Sequence, residues 1–276
     1  MTINLNGNLM DLTTPKIMGI LNVTPDSFYD GGIFDSNKKI LDHVEKMLTD
    51  GADIIDIGGY SSRPGAKEVK LKDEIKRVVP TIELIKKEFN ETTISVDTFR
   101  SEVALQAVNS GASIINDISG GDLDPNMFNC VAELNVPYII MHMQGNPKNM
   151  QNNPLYENVI VEIIENLSKK VFEATEAGVI DVIIDPGFGF GKTIEHNYKI
   201  LSELSFFKEL DCPILVGLSR KSMIYSLLEE KPENVLNGTT CLNTVSILNG
   251  ANILRVHDVK EAKEVVKLTN FLNKNF

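Results

Sequence analysis

Short apolar runs recur along the whole chain. Each is followed by a polar residue, a loop and a longer amphipathic stretch. Lys16–Asn22 (KIMGILN) is the first, and others begin near 53, 93, 113, 138, 182, 214 and 253, which makes about eight. Most are near-continuously apolar, the pattern of parallel strands covered on both faces. Between them, 37–50, 68–89 and 100–110 have helical spacing. Pro80 predicts an irregularity in the second of these helices. Gly51 and Gly111 follow helical stretches, in the place where a left-handed residue ends a helix.

One phrase repeats with this rhythm. GADIIDI (51–57), GASIIND (111–117) and GANILRVHD (250–258) share a form, and AGVIDVIID (177–185) is a looser copy. Each reads as helix-ending glycine, apolar strand, polar residue. This is the rhythm of strand, loop, helix and strand rather than of a solenoid. About eight such units close a barrel, so the predicted fold class is α/β, a (β/α)8 TIM barrel. No linker or shift in composition divides the chain, and 1–276 is read as one domain.

Composition narrows the function. The 276 residues are 42% hydrophobic and 24% charged, ordinary for a globular protein. A net charge of −11 argues against a broad nucleic-acid surface, yet a few local cations could still hold an anionic ligand. Cys130, Cys212 and Cys241 are odd in number, far apart and without C-x-x-C spacing, so neither a disulfide framework nor a zinc site is expected. The N-terminus lacks a secretory pattern and no apolar run reaches membrane-spanning length, so no membrane partner and a cytoplasmic location are expected.

In a (β/α)8 barrel the chemistry sits at the carboxyl ends of the strands. The polar residues there are Asn22, Asp56, Asp97, Asn116, His142, Asp185, Arg255 and His257. Singly, each has a plain explanation as a helix cap or solvated loop residue. For Asp56 and His142 that plain explanation is the expected one. As a set they point to a rim of converging groups. Asp97, Asn116 and Asp185 are acceptor-rich and suit a flat heterocycle carrying several N–H donors and a carbonyl.

Cations face them. Arg63 lies in a serine-rich loop, Lys221 in GLSRKS after the seventh strand, and Arg255 ends the eighth. Loops after strands seven and eight are the usual phosphate site of such barrels. Ser222 is expected to open a helix whose amides add an anion-binding N-terminus. Arg220 is expected at the surface or in an ion pair, and Lys192 only to begin a helix. VIIDPGFGFGKT (182–193) nearly matches two phosphate-binding motifs and satisfies neither. Pro186 stands where a P-loop needs glycine, and its G-x-G-x-G is not G-x-G-x-x-G. The residues by themselves suggest a heterocycle plus a phosphate-type leaving group.

MGILNVTPDSFYDGG, DIGGYSSRPGA, SVDT, IND, MHMQGNP, DPGFGFGK, GLSRKS and RVHD, in this order from Ile17 to Asp258, resemble the motif series of the dihydropteroate synthase family. The resemblance implies a (β/α)8 barrel of folate biosynthesis. The implied reaction joins 6-hydroxymethyl-7,8-dihydropterin diphosphate to 4-aminobenzoate, releasing diphosphate. It implies that Asp97, Asn116 and Asp185 hold the pterin edge, with Lys221 near its carbonyl side and Arg255 flanking the ring. Arg255 and His257 would bind diphosphate, joined by Ser62 and Arg63 from a mobile loop. Asn22 would ligate Mg²⁺, with Asp30 helping through water. Phe28, Pro64, Phe190 and Ser222 would form the aminobenzoate pocket, where sulfonamides would compete. Catalytic weight would fall on Lys221, Arg63 and Asp97, and the assembly would be a homodimer.

The family loop commonly reads GGESTRPG; here Tyr60 replaces the glutamate and Ser62 the threonine. Ser62 keeps a hydroxyl, whereas Tyr60 loses a charge and adds bulk, which bears on loop closure. Two other readings share the acidic pterin site. One is a methyltransferase domain acting on methyltetrahydrofolate, which expels no diphosphate and should lack SSRPG, GLSRKS and RVHD. The other is a non-catalytic pterin-binding protein.

Overall fold

A computed structural model describes residues 1–5, 7–23, 33–60, 68–145 and 154–275, with side chains from 36 in the third segment and to 272 in the last. Every predicted strand is present: β3 (Lys16–Asn22), β4 (Ile54–Gly58), β5 (Ile94–Asp97), β6 (Ile114–Asp117), β7 (Tyr138–Met141), β8 (Val182–Asp185), β9 (Leu215–Val216) and β10 (Ile253–Val256). They form one parallel sheet in the order β8-β7-β6-β5-β4-β3-β10-β9. A parallel bridge between Ile184 and Ile214 closes the last seam. The result is the expected (β/α)8 barrel.

Two strands precede the barrel and were not anticipated. β1 (Thr2–Leu5) and β2 (Asn8–Asp11) pair antiparallel as a hairpin. Their Ile3 and Leu5, with Leu12, pack into one buried cluster with Met18, Ile54, Ile114, Ile139, Ile183, Leu215 and Ile253. This cluster fills the amino-terminal half of the barrel. The hairpin plugs that mouth and leaves the carboxyl end for ligands.

The helices cover the outside. They are α1 (Ile33–Asp50), α2 (Leu71–Glu88), α3 (Ser101–Asn109), α4 (Met127–Leu134), α5 (Val159–Glu176), α6 (Ile194–Ser202), α7 (Ser222–Tyr225), α8 (Leu236–Leu248) and α9 (Val259–Asn275). α2 runs through Pro80. Outward strand residues such as Ile55, Val96, Ile115, Ile140 and Ile184 are buried with Val44, Val78, Ile82, Val103 and Ile163. Each such side chain contributes about 1.5–3 kcal/mol by leaving water. Gly51, Gly111, Gly178 and Gly250, the glycines of the repeated phrase, have φ of 101°, 115°, 102° and 111°. That conformation disfavours a side chain, which is why glycine recurs where each helix turns into the next strand.

Candidate active site

Side-chain alternation builds the site. Successive strand residues point to opposite faces, so a residue two beyond a core-facing one also faces the barrel interior. Ile54, Ile114, Ile183, Leu215 and Ile253 lie in the interior cluster. Two positions on stand Asp56, Asn116, Asp185, Gly217 and Arg255. One step up the barrel, the apolar hub becomes a polar ring. Ser95 pairs with Asp56, and Asp97 with both Gly58 and Asn116, so Asp97 joins the same side one layer higher.

The ring is wired across the barrel. Arg255 donates from Nε to Asp56 Oδ2 and from Nη2 to Asp97 Oδ2, both at 2.7 Å. Asn116 donates from Nδ2 to the same Asp56 oxygen at 3.2 Å. Asp97, Asn116, Asp185 and Arg255 therefore share one mouth. Burial pushes Asp97 above the usual carboxylate range against the pull of Arg255, and the Asp56, Glu74 and Asp117 carboxylates add to the rise. The guanidinium at 2.7 Å and a side chain still 18% exposed hold it as an acceptor. Burial also raises Asp185, while Lys221 and the N–H of Gly187, donating to Asp185 Oδ1 at 2.7 Å, oppose the shift.

Asp56 corrects one expectation. It is neither a cap nor a solvated loop residue, being fully buried and the shared acceptor of Arg255 and Asn116. A signal for it lay in the repeated phrase. Counting from the glycine, Asp56, Asn116 and Arg255 each occupy the sixth place. The three equivalent positions meet.

His142 and Lys192 correct two more. His142 follows the outward Ile140 and faces away from the cavity. It is buried, and Nζ of Lys192 reaches its Nδ1 at 3.0 Å. Burial, with Lys192 and Lys170, pushes the imidazole down to about 2, so it accepts as a neutral ring. Lys192 does more than precede α6, whose N-cap is Thr193. It is buried, and Nζ also donates to the carbonyls of Gly187 at 2.8 Å and Phe190 at 2.9 Å.

That lysine fixes the DPGFGFGK loop from behind. Asn197 Oδ1 accepts from Gly189 N at 2.7 Å, and Tyr156 donates to Gly191 O at 2.9 Å. Gly187 has φ +73°, and a Cβ there would collide with the carbonyl oxygen of His142. From the cavity side, Lys221 donates to Phe188 O at 2.6 Å, and its Nζ lies 4.8 Å from the centre of the Phe190 ring. Gly189 has φ +84°, a backbone conformation that side chains disfavour, and it brings the loop alongside the Lys221 stem. Burial lowers Lys221 to about 8, with Asp185 and Asp97 favouring its charge and Arg255 opposing it.

The loops after β9 and β10 are clipped together. Arg220 pairs with Asp258 as a fork, Nε to Oδ2 at 2.9 Å and Nη2 to Oδ1 at 2.6 Å, the ion-pair role expected of it. The clip holds the neighbours Lys221 and His257 on one side of the mouth. His257 is exposed there, and its Nδ1 lies 3.1 Å from Ser219 Oγ. Ser222 does open a helix, but α7 is a single turn, so few aligned peptides stand behind its amides. Met141 follows the inward Ile139 and lies between Asn116 and Asp185 around the ring; sequence reasoning passed over it as apolar. Phe28, Asp30, Ser62, Arg63 and Pro64 lie outside the described residues.

Asn22, half-buried, ends β3 opposite Gly58. A Cβ on Gly58 would stand 3.5 Å from Asn22 Oδ1 and 3.7 Å from Asp97 Oδ2, so the absent side chain leaves two oxygens facing one gap. Among the described residues no cluster of three or more His, Cys, Asp or Glu could enclose a metal. A lone amide oxygen with a carboxylate nearby still suits Mg²⁺, which keeps its waters and binds through substrate phosphates rather than in a protein cage.

Known proteins agree with this geometry. The profile of the pterin binding enzyme family matches residues 18–257. Dihydropteroate synthase of Escherichia coli K12 is 44% identical over 264 residues, covering 95% of this chain and 93% of that protein. The solved dihydropteroate synthase of Yersinia pestis, in a sulfonamide drug complex, superposes with a TM-score of 0.93 at 40% identity over 100% of both chains. That of Xanthomonas albilineans, with 4-aminobenzoic acid, gives 0.91 at 38% identity over 99% of this chain and 98% of the other. The chain belongs to the dihydropteroate synthase family of pterin-binding enzymes.

Proposed function

We propose that the chain condenses 6-hydroxymethyl-7,8-dihydropterin diphosphate with 4-aminobenzoate, giving 7,8-dihydropteroate and diphosphate. One observation carries the reading. The acceptors Asp97, Asn116 and Asp185 occupy the same barrel mouth as the cations Lys221 and Arg255. The acceptors take the N–H groups of the pterin. Lys221, stretched between Phe188 O and Asp185, offers a donor to the carbonyl side of the ring. Arg255 flanks the ring and, with His257, turns its charge toward the diphosphate. Phe190 and Ser222 line the approach of 4-aminobenzoate, the molecule carried by the Xanthomonas relative.

The displacement is dissociative. The C–O bond of the pterin methylene breaks, and its electron pair leaves on the diphosphate. The methylene cation spreads its charge into the dihydropterin ring, beside carboxylates that tolerate it. The arylamine lone pair then forms the C–N bond, and its proton passes to water or to the departing diphosphate. Stabilising the growing negative charge on diphosphate is the main task, which Arg255 and His257 serve. Bound Mg²⁺, held by Asn22 and the substrate, would supply further charge neutralisation. Ser62 and Arg63 join the anion site in this reading, and Phe28 and Pro64 the aminobenzoate pocket. A cytoplasmic setting and a homodimer belong to the same proposal. The free thiols Cys130, Cys212 and Cys241 support the first. The exposed Leu268, Phe271 and Leu272 on one side of α9 support the second.

A diphosphate-release assay tests the activity. Release should require both 4-aminobenzoate and Mg²⁺. It should fall at least about 100-fold in Asp185→Asn and Lys221→Ala, the loss of a charged hydrogen bond at a reacting site. Undiminished release in both variants would overturn the assignment.

A further inference from the structure

Asp56 belongs to the polar ring, yet no role in the reaction falls to it. Its surroundings are unusual for a purely structural carboxylate. It is fully buried, and one oxygen, Oδ2, serves both Arg255 Nε at 2.7 Å and Asn116 Nδ2 at 3.2 Å. The other oxygen, Oδ1, has no hydrogen-bond partner among the described residues. Neither has Ser95 Oγ, on the residue paired with Asp56 in the register. Stability alone selects against a buried carboxylate with an idle oxygen, since apolar residues of similar volume usually serve as well.

The two bonds at Oδ2 each decide an orientation. An amide has one donating and one accepting end. A carboxylate oxygen accepts only, so Asp56 takes the NH₂ of Asn116 and turns the carbonyl of that amide the other way. Arg255 is held on two edges, Nε by Asp56 and Nη2 by Asp97. Two such bonds fix the plane of a guanidinium, which otherwise turns about the bonds of its stem.

We propose that Asp56 is a positioning residue for the pterin. It sets which end of the Asn116 amide meets the heterocycle and the plane in which Arg255 flanks it. The inference rests on the pterin-binding reading of the mouth. Without Asp56 the amide can flip and present a donor to a donor. The consequence is specific: recognition of the pterin suffers, and that of 4-aminobenzoate does not.

The experiment compares wild type, Asp56→Leu, Asp56→Asn, Asn116→Ala and the double variant Asp56→Leu/Asn116→Ala. Calorimetry with 6-hydroxymethylpterin reads binding, and steady-state kinetics read KM for each substrate. Asp56→Leu should weaken pterin binding roughly 10- to 100-fold, the range for hydrogen bonds to charged groups. The KM for 4-aminobenzoate should stay within about twofold. Because Asp56 acts partly through Asn116, the double variant should bind well above the affinity expected from multiplying the two single losses.

Equal pterin binding by wild type and Asp56→Leu overturns the proposal, as does full multiplication of the two losses. A parallel rise in both KM values also overturns it, because it marks a general structural role. If Asp56→Leu does not fold, Asp56→Asn decides: a loss of about fivefold or more for pterin alone supports the proposal, and no loss overturns it. A folded wild type that fails to bind the pterin overturns the pterin-binding reading itself, and this inference with it.

Discussion

Ser219 Oγ and His257 make two contacts, one to the ring and one to the backbone. The hydroxyl lies 3.1 Å from Nδ1 and accepts from the backbone N–H at 3.3 Å. Having accepted there, the hydroxyl can give its single hydrogen to Nδ1. In that arrangement the imidazole proton sits on Nε2, and the alternative, Nδ1–H donating to the hydroxyl, would place it toward Ser219. Ser219→Ala removes the device and keeps the shape. It should raise KM for the pterin diphosphate about fivefold, near 1 kcal/mol, with little change for 4-aminobenzoate. Unaltered KM values would show that Ser219 does not set the His257 tautomer.

Lys221 is a charged, three-proton donor only while protonated. Burial lowers its pKa to about 8, so the cation is complete below that value and lost as pH rises through it. The kcat/KM for the pterin substrate should fall above about pH 8. In Lys221→Arg that limb should vanish, since guanidinium stays charged. A wild-type profile flat to about pH 9.5 would remove the donor role.

Lys192 is a matter of stability. Lys192→Met would take the ammonium from the His142 ring and the Phe190 carbonyl and leave Gly187 O only the N–H of Phe190, at 3.2 Å. The cost should be roughly 2–4 kcal/mol, seen as a melting temperature lower by several degrees. A melting point within one degree of wild type would mean that the loop satisfies these groups another way.

Tyr60 directly precedes Ser61, Ser62 and Arg63 in the chain. Its ring meets Phe99 edge-on at 5.1 Å and lies 5.5 Å from the Arg100 guanidinium. Arg100 is already paired with Glu74 at 2.6 Å. Where the family commonly carries a carboxylate, this chain sets an aromatic ring against the arginine that Glu74 already holds. Tyr60→Glu removes those ring contacts, worth about 1 kcal/mol, and brings a second carboxylate to Arg100. KM for one substrate should shift between roughly twofold and tenfold. Unchanged constants for both substrates would show that Tyr60 has no part in loop closure.

Asn22→Ala addresses the metal. Activity should survive but need roughly tenfold more Mg²⁺ for half-saturation, about 1.4 kcal/mol of lost affinity. An unchanged Mg²⁺ titration would place the ion elsewhere.

Much of this molecule was legible in one dimension. Eight apolar runs, their glycine stops and the polar residue after each depend on local backbone rules, and every run became a strand. Their places at the carboxyl ends of strands also put Asp97, Asn116 and Asp185 at one mouth. What local rules could not show was which groups meet across the barrel. Arg255 is 199 residues from Asp56 and 158 from Asp97, and only closure of the sheet makes them neighbours. The hairpin of Thr2–Leu5 and Asn8–Asp11 became a plug because the barrel offered its strands an apolar floor, not because of a strong strand pattern of its own. His142 and Asp56 look alike on paper, each a polar residue near a strand end. One residue of strand parity turns the first toward the helices and the second into the cavity, and tertiary closure then assigns the first to a loop and the second to Arg255.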